Sequence, residues 1–451
     1  TSACLAGFNY DDAFDVWLRI WKHFGDSFFF EYQTHNIDRQ IELNKKIYQV
    51  SQEYDIQTIV GLDTHYISEE DCIKRNNLLE RKGIHYDDET NWYMDYPSGE
   101  EAFKRLQSQG VLPDEEIYYA MMNTHCFALG CEDLEYDRSF KIPILPGLKD
   151  KTYDERCKVL QDLLNEGYKA EDTDHKSKER IEAIRYEYGE VKDSGCVDYF
   201  IDNHALIRKA IDEYGGQLTT TSRGSASSYY CCKLLGFTTL DRFESDVPIY
   251  PDRFITKDRI LKSHQMPDID FNIAQQEPFV RASRDLFGEH GCYPLLAVGK
   301  FGEKSGFKMY ANIMGLEPSI ANEITKSIDN YNEAKKMAED DEEDSIQIED
   351  YIANKEYLKI FQDSKPYQGI IELAKVHACG FMLFNGNPNQ SDVIGYGDIR
   401  YEIGLIRCQS KSGNVSIVAN IEGGLLDSYG YVKDDFLIVD VVGIIYKLYH
   451  S

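Results

Sequence analysis

The chain has 451 residues, 78 of them acidic and 49 basic, for a net charge of −29. That length supports about two to four domains with sizeable cores, and an apolar fraction of 42% with 32 Tyr and 22 Phe excludes a disordered chain. No apolar stretch approaches the ~20 residues of a membrane helix, and the negative charge argues against indiscriminate adhesion to nucleic acid, whose phosphates the average field repels.

The amino-terminal residues carry Asp11, Asp12 and Asp15 where a signal peptide needs a basic start and an apolar run. Residues 8–24 show helical apolar spacing, Phe28–Tyr32 reads as a strand, 37–54 as an amphipathic helix and Gln57–Leu62 as a second strand. This β-α-β pattern predicts parallel pairing. Asp63-Thr-His65 follows at the carboxyl end of the second strand, where α/β folds place their chemistry. Helices dominate 100–216, broken at Pro143–Gly147. Short strands and loops run to 300, and a helical stretch with the acidic block Glu339–Asp344 runs to about 376. A strand-rich tail closes the chain.

Eleven cysteines occur without a C-x-x-C pair, and Cys231-Cys232 are adjacent. This suits reduced thiols in a cytoplasmic protein better than a disulfide framework. The first residue is Thr and the last Ser451, so the chain reads as a piece of something larger or a processed product.

Two acids spaced two apart, Asp268 and Asp270 in Gln265–Phe271, share one face of a strand while Ile269 and Phe271 take the other. Asp440 lies in the apolar run Phe436–Ile445, which reads as a buried strand, and a carboxylate there needs a compensating partner. Three carboxylates converging on a sheet can hold two divalent cations about 3.5–4 Å apart, as nucleotidyl transfer requires. In so acidic a chain the Asp-x-Asp pair also fits a solvated strand edge. Two basic strips stand out. Arg253, Lys257, Arg259 and Lys262 precede the Asp pair, and the four-residue spacing of Lys300, Lys304 and Lys308 would line them along one helix face. Either strip also fits a solvated face.

The segments Arg223–Ser228, Pro251–Phe254, Pro267–Phe271, Lys300–Gly302, His377–Gly380 and Val439–Gly443 resemble, in sequence and order, the polymerase core of the bacterial replicative DNA polymerase III alpha subunit, the C family. Ser2–Gly7, Phe30-Glu31 and Leu62–Tyr66 resemble its polymerase-and-histidinol-phosphatase (PHP) domain. The resemblance spans essentially the whole chain. It implies an α/β and α+β multidomain protein: a partial, barrel-like PHP domain with a helical extension over 1–147, a nucleotidyltransferase-like palm with a mixed sheet over 148–310 and 377–451, and a helical thumb over 311–376.

By this resemblance Asp268, Asp270 and Asp440 fall on the three catalytic carboxylates, which take two Mg²⁺ ions. Gly224 and Ser225 fall in a loop whose backbone N–H groups cradle the incoming dNTP, and Arg253 and Arg259 fall near its triphosphate. Lys300, Lys304 and Lys308 are candidate DNA contacts. Cys4, Asp63 and His65 match part of the PHP metal set, a mixed S, O and N group suited to Zn²⁺ or Mn²⁺. The implied partners are primer-template DNA, dNTPs, the remaining amino- and carboxyl-terminal portions of the polymerase and, through the latter, a sliding clamp. The implied function is template-directed DNA synthesis in replication. Alternatives are a PHP-centred metal-dependent phosphoesterase or 3′–5′ exonuclease, and a non-catalytic replication scaffold.

Several departures mark a divergent member. Asn272 stands where the family carries a third acid, and Ile438 stands where it has Lys two residues before the third catalytic Asp. Lys308 is one residue late, Ala311-Asn312 replaces Arg-Asp, and Asp202-Asn-His204 interrupts an apolar strand of the family. His377 matches the family histidine before a small-residue pair, and a packed core histidine is an equal reading.

Overall fold

The computed structural model describes residues 10–86, 89–131, 135, 138–172, 176–219, 224–263, 265–340, 346–384, 404–409 and 414–450. The chain divides into two compact units, one formed by Thr1–Glu135 with Phe301–Ile370 and the other by Tyr136–Lys300 with Ile371–Ser451.

In the first unit, β1 (Phe30–Gln33) and β2 (Thr58–Gly61) pair in parallel, joined by the helix Asp38–Tyr54 as the β-α-β pattern predicts. The helix stops where Asp55 turns into the left-handed region with φ of 54°. Its apolar stripe, Leu43, Ile47 and Val50, packs with Trp17, Phe30, Tyr32, Leu106 and Ile117. These two strands are the unit's sheet among the described residues. Residues 301–370 add the helices Glu303–Ile313, Pro318–Asp340 and Lys355–Ser364, held around Phe307, Ile324, Ile328 and Phe361.

Among the described residues the second unit is built on a six-stranded mixed sheet. Its strands are β3 (Asp270–Ile273), β4 (Cys292–Lys300), β5 (Ile371–Leu383), β6 (Leu405–Gln409), β7 (Val415–Glu422) and β8 (Val432–Ile438), in spatial order β3-β8-β5-β4-β7-β6. The pairs β3–β8 and β4–β7 are parallel and the rest antiparallel. The helices Val197–Tyr214 and Glu277–Phe287 share one core with the inward residues of β3 and β8, among them Leu206, Phe271, Phe279 and Phe436.

Three local expectations are corrected here. Asp202-Asn-His204 lies in the helix Val197–Tyr214 rather than in a strand, with Asp202 and Asn203 buried and His204 donating from Nδ1 to the Leu235 carbonyl. Lys300 ends β4 and the next helix begins at Glu303, so Lys300, Lys304 and Lys308 do not form one helical strip. The apolar tail is not one buried strand through Ile445, because β8 ends at Ile438 and the helix Asp440–His450 follows. That helix leaves Val441, Ile444, Ile445 and Leu448 exposed. Among the described residues no helix is long and apolar enough to cross a membrane.

Candidate active site

The alternation expected around the Asp pair holds from Pro267 to Ile273. Ile269, Phe271 and Ile273 are buried, while Asp268, Asp270 and Asn272 lie on the more open face. Asp268 precedes the strand proper, and its lead-in is fixed by the Ile269 N–H donating to the buried Tyr199 hydroxyl at 3.3 Å.

β8 alternates in the same way, with Val432, Asp434 and Phe436 buried and Lys433 and Asp435 half-buried. In the parallel register Asp435 is the direct partner of Asp270. Lys433, two residues earlier on the same face, places its ammonium 3.0 Å from Asp435 and 3.5 Å from Asp268. Burial disfavours the Lys433 charge, but the carboxylates of Asp268 and Asp435 outweigh it and hold the ammonium pKa above its ordinary value. Asp434 points to the opposite face, where neither carboxylate oxygen has a hydrogen-bond partner among the described residues. Burial, reinforced by the neighbouring Asp435 and Asp268, pushes its pKa up to about 7.

Asp440 is not the buried strand residue that the apolar run suggested. It is the first residue of the final helix and is exposed. The Val439 N–H donates to the Ile273 carbonyl at the far end of β3, so Asp440 lies beyond the end of β8, five residues after Asp435. The sequence also holds a local pointer to Asp435. The lysine that the family carries two residues before its third catalytic Asp is absent before Asp440, and it is present as Lys433 before Asp435. The pattern Val432-Lys433-Asp434-Asp435 is less apolar than the setting of Asp440, so apolar patterning alone favours Asp440.

On the other side of Asp435 runs β5, with Gly380 as its partner. Pro294 pairs with Phe381 and Leu296 with Val376, so His377-Ala-Cys-Gly380 bulges out of the ladder opposite the single residue Leu295. The bulge is closed by the His377 ring, whose Nδ1 accepts from the Gly380 N–H at 2.7 Å and the Cys379 N–H at 3.3 Å. Glycine is required at 380, since a Cβ there would stand 2.9 Å from His377 Nδ1 and 3.3 Å from Asp435 Oδ1.

The Gly224-Ser225 loop comes close to Asp270 at Gly224. Residues 217–219 run along the free edge of β3, with Thr219 N–H donating to Asn272 O and Ala274 N–H to Gln217 O. Gly224 then turns with φ of +70°, so close to Asp270 that a Cβ would lie 2.5 Å from Oδ2. Arg223 lies outside the described residues. Arg253 is exposed and makes no ion pair among the described residues, whereas Arg259 donates to the Arg253 carbonyl at 3.0 Å. Lys304 is paired with Asp329 at 2.8 Å, and Lys308 lies exposed on the same helix.

In the first unit, Asp63 and His65 are both about half-exposed, and the His65 Nδ1 is 2.9 Å from the Asp63 carbonyl. The sequence reading missed His35, which is 1% exposed, accepts the Tyr93 N–H at Nδ1 and aims Nε2 at Asp63 Oδ2 from 3.6 Å. Nε2 has no hydrogen-bond partner among the described residues, and burial lowers the His35 pKa, favouring the neutral ring, which with Nδ1 accepting carries its proton on Nε2, facing Asp63. Cys4 lies outside the described residues.

The oxygen-only set of Asp268, Asp270 and Asp435 suits a hard divalent ion such as Mg²⁺, and the Lys433 ammonium among them shows that positive charge is accommodated there.

Residues 158–437 match the family described as the bacterial DNA polymerase III alpha NTPase domain, a span that includes Asp268, Asp270 and Asp435 and ends before Asp440. The chain is 24% identical to DNA polymerase III subunit alpha of Borreliella burgdorferi, covering 97% of this chain and 36% of the relative. It is 22% identical to the DNA-directed DNA polymerase of Bacillus phage SPbeta, covering 92% of this chain and 33% of the relative. It is 24% identical to DNA polymerase III subunit alpha of Aquifex aeolicus, covering 70% and 27% respectively. The chain thus spans about a third of the length of these curated relatives.

Proposed function

The chain belongs to the bacterial DNA polymerase III alpha family, and from that premise we propose that it carries the nucleotidyl-transfer centre of a replicative DNA polymerase, with Asp268, Asp270 and Asp435 as its three catalytic carboxylates. The observation that carries this reading is the parallel register that sets Asp435 beside Asp270, with Lys433 reaching Asp268. Asp435 takes the role that the apolar run around Asp440 had suggested for Asp440.

In this reading the second unit is the palm and the helices of 301–370 belong to the thumb. The three carboxylates would hold two Mg²⁺ ions, which when bound would make the primer 3′-hydroxyl more acidic and neutralise charge on the departing pyrophosphate. The primer oxygen attacks the α-phosphorus in line, forming the phosphodiester and releasing pyrophosphate. The close turn at Gly224 keeps the backbone low over Asp270, so that N–H groups of this loop reach the triphosphate, and the exposed Arg253 supplies a guanidinium for its outer phosphates. Lys433 holds Asp268 and Asp435 in place before substrate arrives. Primer-template DNA, dNTPs, the remaining portions of the polymerase and a sliding clamp are the partners of this function.

Primer extension by the intact polymerase tests the assignment. D435N lowers the rate by at least about a hundredfold, as loss of a group that stabilises transition-state charge does, whereas D440N stays within about threefold of wild type. Extension by D435N near the wild-type rate, or equal inactivation by D440N, overturns it.

A second reading concerns the first unit. Asp63 and His65 at the end of β2, with the buried His35 N–H facing and orienting the Asp63 carboxylate, favour a Zn²⁺ or Mn²⁺ site there, and with it a PHP-type phosphoesterase or 3′–5′ exonuclease activity.

A further inference from the structure

The bulge in β5 brings a thiol and an imidazole against the carboxylate of Asp435. The Cys379 Sγ lies 3.9 Å from His377 Nδ1 and 4.0 Å from Asp435 Oδ1, and one ligand atom from each of the three residues falls within 4.8 Å of the others. All three side chains are half-buried, so an ion can enter. A tetrahedral Zn²⁺ with bonds of about 2.0–2.3 Å to N, O and S spaces its ligands by roughly 3.3–3.6 Å, which small side-chain rotations reach from these separations.

We propose that His377, Cys379 and Asp435 form a binding site for Zn²⁺ that shares Asp435 with the catalytic carboxylates, so that zinc and catalytic Mg²⁺ exclude each other. The shared use of Asp435 rests on the function proposed above; the zinc site itself does not. The two ligand sets differ in kind. Asp268 and Asp270 offer oxygen alone, the choice of Mg²⁺, whereas a thiolate and an imidazole beside one carboxylate select a softer ion. The family resemblance places a small residue at position 379, and a cysteine fits the same space while adding a soft donor. Binding transfers the Cys379 thiol proton to solvent. It also exchanges the Gly380 N–H···Nδ1 hydrogen bond of His377 for a metal bond, so the bulge loosens as the site fills.

Co²⁺ serves as a spectroscopic probe for zinc in this chain, because a thiolate bound to it gives a near-ultraviolet charge-transfer band. Wild type shows the band on titration with Co²⁺, and stoichiometric Zn²⁺ bleaches it. C379A, which leaves the bulge backbone and the carboxylates in place, loses the band and binds Zn²⁺ at least about tenfold more weakly in competition with a chromogenic chelator. D435N keeps a weaker band with reduced affinity. Circular dichroism of each variant matching wild type removes misfolding as a cause. A band of equal intensity in C379A, or none in wild type, overturns the zinc site whatever the polymerase activity of D435N. Conversely, full extension by D435N sinks the catalytic assignment while the cobalt spectrum still decides the zinc site.

Discussion

Asp270 and Asp435 are direct partners across the parallel pair β3–β8, with their side chains on the open face and Lys433 bridging from Asp435 to Asp268. Three carboxylates this close repel one another, and the ammonium offsets that repulsion in the absence of metal. K433M, which keeps the aliphatic stem and removes the charge, is therefore expected to lose about 1–2 kcal/mol of stability in metal-free urea unfolding. Added Mg²⁺ restores most of the loss. Calorimetry should show tighter Mg²⁺ binding than in wild type, since the lysine competes for the same oxygens. Equal metal-free stability in the two proteins counts against this account of Lys433.

Gly224 is fixed by both its backbone and its neighbour. Its φ of +70° disfavours any side chain, and a Cβ would collide with Asp270 Oδ2 at 2.5 Å. G224A is expected to cost about 1–2 kcal/mol of stability and to displace Asp270, with extension falling more steeply than stability does. Wild-type kinetics in G224A would show that the loop does not constrain the carboxylate.

The Asp268–Asp270 face was legible because strand alternation survives even where the strand has not begun: Ile269 and Phe271 bury themselves whether or not ladder hydrogen bonds are present. The β1–helix–β2 unit was legible for a similar reason, as its apolar periods switch cleanly between two and 3.6. Asp440 misled because Phe436–Ile445 mixes two elements, the end of a buried strand and the start of a helix whose apolar face is exposed. Periodicity alone does not separate them. Asp434-Asp435 hid the partner of Asp270 in another way, since two adjacent acids on a strand must face opposite sides, and the pairing with β3 is what sets Asp435 beside Asp270. His35 had no local signal, as its place beside Asp63 comes from the packing of Trp92 and Tyr93.

The buried acid Asp202 links stability to pH. Burial first, then the nearby Asp198 and Asp434, raise its pKa well above the ordinary carboxylate value, so the fold keeps the proton to higher pH than the unfolded chain does. The folded state then binds more protons than the unfolded one, and stability falls as pH rises from the ordinary carboxylate range toward the raised folded value. D202N removes this dependence. It is expected to be more stable than wild type at pH 7.5 by about 1 kcal/mol or more, since a tenfold change in acid strength between the two states corresponds to about 1.4 kcal/mol, with the gap narrowing toward pH 4. A gap that widens on acidification reverses the sign and sinks the argument.

The first unit offers the last test. His35 is held neutral by burial, and its Nδ1 accepts the Tyr93 N–H, so its proton sits on Nε2, which faces Asp63 and orients that carboxylate for a metal held by Asp63 and His65 rather than ligating the metal itself. Metal analysis after equilibration with Mn²⁺ or Zn²⁺ should find H65A depleted. H35Q keeps an acceptor for the Tyr93 N–H, so it should fold as wild type does while losing at least about tenfold in affinity. If H35Q and H65A both retain wild-type metal content, the Asp63 cluster is a structural hydrogen-bonded group and the phosphoesterase reading falls with it.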